Sequence, residues 1–116
     1  MMTTKKAEKF PTAEPVCLEK LVDYAPDSIV SREIAKNKSG TVSVFAFDAG
    51  QGLSEHTAPF DAIVQILDGE GEIIIDGKKV ITKTGETVIM PANIPHAVNA
   101  NTSFKMQLIM LKDKKK

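Results

Sequence analysis

The chain offers few side chains able to do chemistry, and they fall into a pattern. Its only two histidines, His56 and His96, each lie inside a glycine-bounded segment. The first runs from Gly50 through His56 to Gly69, the second from Gly85 through Pro91 and His96 to Ala100. An imidazole can bind a metal, carry a proton, or orient a ligand by hydrogen bonding. A catalytic metal ordinarily takes three protein ligands, and a non-haem iron site takes two histidines and a carboxylate on one face. The neighbouring carboxylates are Glu55 and Asp61, which as an acid/base pair would serve catalysis and by default are solvated charges. The single cysteine, Cys17, reads as a small buried apolar side chain; it excludes an intramolecular disulfide and fits a reducing compartment.

Short β-strands must position these residues. Runs rich in Val, Ile and Phe, bounded by Gly, Pro, Asn and Asp, place strands near Val16–Val22, Ile29–Ala35, Thr41–Phe47, Ala62–Leu67, Glu72–Ile75, Lys79–Thr82, Thr87–Met90, His96–Ala100 and Phe104–Leu111. Asp76-Gly77 supplies the positive φ angles of a tight hairpin turn. No helix-length amphipathic stretch competes, so the chain reads as all-β, a sandwich or barrel. Strand alternation puts His56, Ala58, Ala62, Val64 and Ile66 on one face, with Asp61 and Gln65 facing away. Pro59 interrupts that run, and a one-residue bulge there would turn Asp61 inward, where it becomes a candidate catalytic carboxylate.

The two segments resemble the two motifs of the cupin superfamily. The first family motif is Gly, five residues, His-x-His, three or four residues, Glu, six residues, Gly; the second is Gly, five residues, Pro-x-Gly, two residues, His, three residues, Asn. Gly50, His56, Gly69, Gly85, Pro91 and His96 match in register. The resemblance implies a small RmlC-like cupin, a jelly-roll barrel of two antiparallel sheets around an open interior. It also implies a divalent metal held by three histidines and a glutamate. Here Ala58 stands at the second histidine, Ala62 at the glutamate, Asn93 at the second-motif glycine and Ala100 at the asparagine. The expected metal set shrinks to His56 and His96, which would hold Zn, Fe, Mn or Ni only weakly. Asn tolerates the left-handed backbone that the turn at Asn93 requires.

The remaining composition bounds the function. A chain of 116 residues fits one domain, expected over 15–112, with a flexible arm at 1–14 and a Lys-rich tail at 113–116. Fifteen basic and fifteen acidic residues give zero net charge, which argues against nucleic-acid or membrane-surface partners. The N-terminal stretch has a positive start but no apolar core, and no apolar run approaches the ~20 residues of a membrane span. A soluble, cytoplasmic protein is expected. Similar cupins are usually homodimers that exchange N-terminal strands, and Val16–Val22 is the candidate strand here. The expected function is binding of a small, partly apolar metabolite inside the barrel, with His56, His96, Gln65, Phe47, Met90 and Met106 as ligand-binding residues. Phe45, Phe60 and Met110 are further candidates for an apolar lining. The alternatives are a metal-dependent dioxygenase, isomerase or decarboxylase, and a sensory module acting through a partner protein. Whichever holds, the barrel is expected to bring the two histidines together, with ring nitrogens within about 6 Å.

Overall fold

A computed structural model of the protein describes residues 2–5 and 10–112; residues 1 and 6–9 of the expected arm and the Lys-rich tail 113–116 lie outside the described residues. The strands, in chain order, are β1 (Met2–Lys5), β2 (Ile29–Asn37), β3 (Gly40–Phe47), β4 (Gly52–His56), β5 (Asp61–Asp68), β6 (Glu70–Ile75), β7 (Lys78–Lys83), β8 (Thr87–Met90), β9 (His96–Asn99) and β10 (Phe104–Leu111). They form a large sheet, β1-β2-β3-β10-β5-β8, and a small one, β4-β9-β6-β7. All the pairings are antiparallel except β1 with β2. The architecture is the jelly roll that the sequence motifs imply.

Alternation along each strand sends one set of side chains between the sheets. Phe47, Val64, Ile66, Ile73, Phe104 and Met106 are fully buried there. The Phe47 and Phe104 rings stack with centroids 4.7 Å apart and planes 5° from parallel. Turn chemistry follows the sequence as well. Asp76 and Gly77 take φ of 52° and 80°, the two positive angles of a primed hairpin turn between β6 and β7. The motif residue Gly69 has φ of 85°, and a Cβ there would stand 2.7 Å from the Ser103 carbonyl oxygen, so only glycine fits.

Three N-terminal expectations need correction. Met2–Lys5, within the expected arm, is a strand. Val16–Val22 is not a strand: Leu18–Lys20 forms a 3₁₀ turn. Its apolar residues Leu18, Leu21 and Val22 recur at helical spacing, and Pro15 precedes them. They cover the outer face of the large sheet, against Val44 and Ala46. The Lys105 ammonium fixes this cover by donating to the Glu19 carbonyl and lying 5.1 Å from the Tyr24 ring centroid. Tyr24 in turn donates to the Asp68 carboxylate; burial, then that carboxylate, raises the phenol pKa and keeps it protonated. Cys17, beside the turn, is exposed rather than buried.

On the outer face of the small sheet, buried Glu72 accepts hydrogen bonds from the side-chain amides of Asn101 (2.8 Å) and Asn99 (3.2 Å). Asn101 first, and Asn99 next, hold its carboxyl below the ordinary value of 4.5. A depressed carboxyl stabilises the fold above its unfolded pKa, and that contribution disappears as pH falls through the folded value. The melting temperature of the parent is therefore expected to drop more than that of Glu72→Gln between about pH 5 and about pH 3. Phe104→Ala removes one member of the stacked pair and is expected to cost about 3–5 kcal/mol, read from the midpoint and slope of urea unfolding.

Candidate functional site

The two histidines meet at one edge of the small sheet. β4 and β9 pair with Leu53 opposite Val98 and His56 opposite His96. Three steps on β4 therefore match two on β9, the signature of a bulge carrying one extra residue. Strict alternation would set Leu53 and His56 on opposite faces; the bulge returns His56 to the interior side. The rings lie 4.4 Å apart between centroids, edge to face at 69°. Each is anchored in the same way, His56 Nδ1 at 2.9 Å from the Ser54 carbonyl oxygen and His96 Nδ1 at 3.1 Å from that of Ile94. A carbonyl only accepts, so Nδ1 carries a proton in each ring, and Nε2 is the remaining ring nitrogen. His96 is buried, whereas His56 is exposed at the mouth.

Beyond His56 the chain leaves the small sheet, and residues 57–60 cross to the large sheet, where β5 begins. The expected alternation from His56 to Ile66 along one strand is therefore replaced by a change of sheet around Pro59. The crossing is clamped to the turn before β9. The Asn93 amide donates to the Ala58 carbonyl at 2.7 Å, and the Ala92 amide donates to Asp61 Oδ1 at 2.8 Å. Asn93 has φ of 65°, the left-handed conformation expected of it. Asp61 is exposed and caps this turn, so no bulge turns it into the barrel as a catalytic carboxylate.

A cavity of about 60 Å³ opens beside the two rings. Leu53, Ala58, Phe60, Ala62, Met90, Val98, Met106, Leu108 and Met110 complete its wall. Of the sequence candidates, Phe60, Met90, Met106 and Met110 lie in that wall with both histidines, and Phe45 does not. Gln65 does not: it is opposite Gln107 and Thr87 on the outer face of the large sheet. Phe47 is stacked in the core on Phe104, away from the cavity. Leu53, Val98 and Leu108 were not singled out; the alternation of Met106, Leu108 and Met110 along β10 carries the signal for Leu108. A larger, shallower hollow of about 200 Å³ at the β2–β3 turn is lined by no histidine or carboxylate.

The residues do not fit the divalent metal of the family pattern. Ala58 and Ala62 supply no donor atom, Asp61 is committed to the turn, and the described residues contain no group of three His, Cys, Asp or Glu side chains able to hold an ion.

The cupin domain profile matches residues 43–112, and the chain belongs to the cupin family. A conserved protein of unknown function from Streptococcus pyogenes is 34% identical, with a TM-score of 0.87 over 93% of this chain and 95% of that one. A cupin 2 conserved barrel domain protein from Leptotrichia buccalis is 43% identical with a TM-score of 0.79; the match covers 82% of this chain and 46% of that protein. A cupin superfamily protein from Desulfitobacterium hafniense is 28% identical, with a TM-score of 0.84 over 94% of this chain and 100% of its own. No curated protein matches. Among the described residues, no helix is long and apolar enough to cross a membrane.

The clamp is testable without touching the cavity wall. Asp61→Ala leaves the Ala92 amide without its carboxylate and is expected to cost about 1 kcal/mol. Amide hydrogen exchange at Ala92 and Asn93 should quicken while exchange in β10 stays at the parent rate.

Proposed function

We propose that this cupin is a binding protein whose barrel takes up a small, partly apolar metabolite, anchored by the two imidazoles. The observation that carries the reading is the convergence of His56 and His96 in a cavity whose other wall residues are all apolar. Such a concave, apolar site with a few converging polar groups is the usual form of a small-molecule site. With Nδ1–H of each ring on a backbone carbonyl, Nε2 is the nitrogen left for a ligand, and in a neutral ring it accepts from a hydroxyl or an amine. Size narrows the class further. A volume of about 60 Å³ corresponds to roughly four to six waters, so a small head group enters and any larger portion stays at the mouth beside His56. The metal-enzyme alternative drew its third ligand from Asp61, which bonds the Ala92 amide instead.

The test is a thermal-shift panel of small alcohols, phenols and amines on chelator-treated, metal-free protein, with native mass spectrometry of freshly purified protein. A compound from the panel is expected to raise the melting temperature of the parent and not that of the His56→Ala/His96→Ala variant. A panel with no shift, or one that shifts parent and variant alike, overturns the reading.

A further inference from the structure

We propose that the same cavity is a site for a soft, monovalent metal ion, Cu(I), bound by His56 and His96 together with the thioethers of Met90 and Met110. The inference rests on the cavity being the binding site of the barrel, as argued above, but concerns a different occupant.

The distribution of methionine is the first argument. The chain has five methionines, and apart from Met1 and Met2 all of them, Met90, Met106 and Met110, line this cavity with both histidines, Met110 reaching the β2–β3 hollow as well. Methionine is a common core filler, yet filling a core does not require its gathering around the only imidazoles of the chain. Register supplies the second argument. Ala62, at the position of the family glutamate, has Met90 of β8 as its partner on one side and Met110 of β10 on the other. Directly paired side chains start about 4.5–5.5 Å apart at Cβ, well within the reach of an unbranched thioether with three rotatable bonds. Two thioether side chains therefore start beside Ala62, on strands that both line the cavity.

Charge is the third. The cavity wall contains no Asp, Glu or Cys, so an ion entering it finds no anion to neutralise it. The cost of moving an ion into a low-dielectric interior rises with the square of its charge, which sets a divalent ion at a large disadvantage to a monovalent one. Imidazole suits copper, and thioether sulfur selects its reduced state. The donor set, both Nε2 lone pairs with flanking sulfur, fits Cu(I) where it fails for the divalent ions.

The experiment is an anaerobic titration of metal-free protein into the coloured Cu(I) complex of bicinchoninate. It is done in a Cys17→Ser background, because the exposed Cys17 thiol would itself take up Cu(I). One Cu(I) per chain is expected to leave the chelator. Met90→Leu/Met110→Leu and, separately, His56→Ala should each weaken the transfer by at least about tenfold. Copper-edge X-ray absorption on the loaded Cys17→Ser protein reads the ligands directly, even if a variant fails to fold, and should show sulfur as well as imidazole scatterers. No transfer, transfer indifferent to the methionine pair in a folded variant, or a copper shell without sulfur overturns the proposal. The metabolite panel runs on metal-free protein, so the two readings fail separately. Absence of Cu(I) transfer leaves a panel hit standing, and an empty panel leaves a sulfur-ligated copper standing.

Discussion

The site depends on one constraint, the change of sheet that the chain makes between His56 and Asp61. A strand that ran straight through would keep His56 and Ala62 in one sheet, with no second wall to enclose a cavity. Instead residues 57–60 cross the gap, and two hydrogen bonds fix the crossing: Asn93 amide to Ala58 carbonyl, and Ala92 amide to Asp61 carboxylate. Because the turn holding Ala92 and Asn93 leads directly into His96, the clamp that positions one motif also positions the other. A second link closes the far end, where Gly50 donates to the Ala100 carbonyl and Ala100 donates to that of Gln51.

Within that frame each element has a separate task. The bulge on β4 sets the face of His56, the β4–β9 pairing sets its distance from His96, and the Ser54 and Ile94 carbonyls set the tautomer of each ring. The bulge and the pairing thus fix position and spacing, the carbonyls fix a proton on Nδ1, and none of these contacts uses Nε2. Behind them, the stacked Phe47 and Phe104 rings with Val64, Ile66 and Ile73 pack the two inner faces together outside the cavity wall.

The exchange of hard donors for small and soft side chains changes what the barrel can hold. Alanine at 58 and 62 removes a potential imidazole and a potential carboxylate and leaves space in their stead. With Asp61 turned to the clamp, the cavity wall holds no carboxylate, and its polar groups reduce to two imidazoles against an apolar wall that includes three methionines.

The sequence by itself determined the jelly-roll class, because strand-length apolar runs, the Asp76-Gly77 turn and in-register motif residues are local signals that need no knowledge of distant contacts. It also marked His56, His96, Met90 and Met106, whose types stand out in a chain poor in such residues, and the left-handed backbone at Asn93. What it left undecided turns on registers between remote segments. The bulge at β4 has no composition of its own; it exists because Leu53 and His56 must meet Val98 and His96 of a strand some forty residues away. Asp61 could be assigned inward or outward until the Ala92 amide was placed beside it. Gln65 and Phe47 looked suited to a pocket by type, yet pairing put one on the outer face and the other into the aromatic stack. Val16–Val22 is apolar enough for a strand, and only the exposed hydrophobic face of the large sheet made its helical spacing the better fit. Local propensity is carried by neighbours in the chain; the side a residue faces is decided by what packs against it, and that is a property of the folded whole.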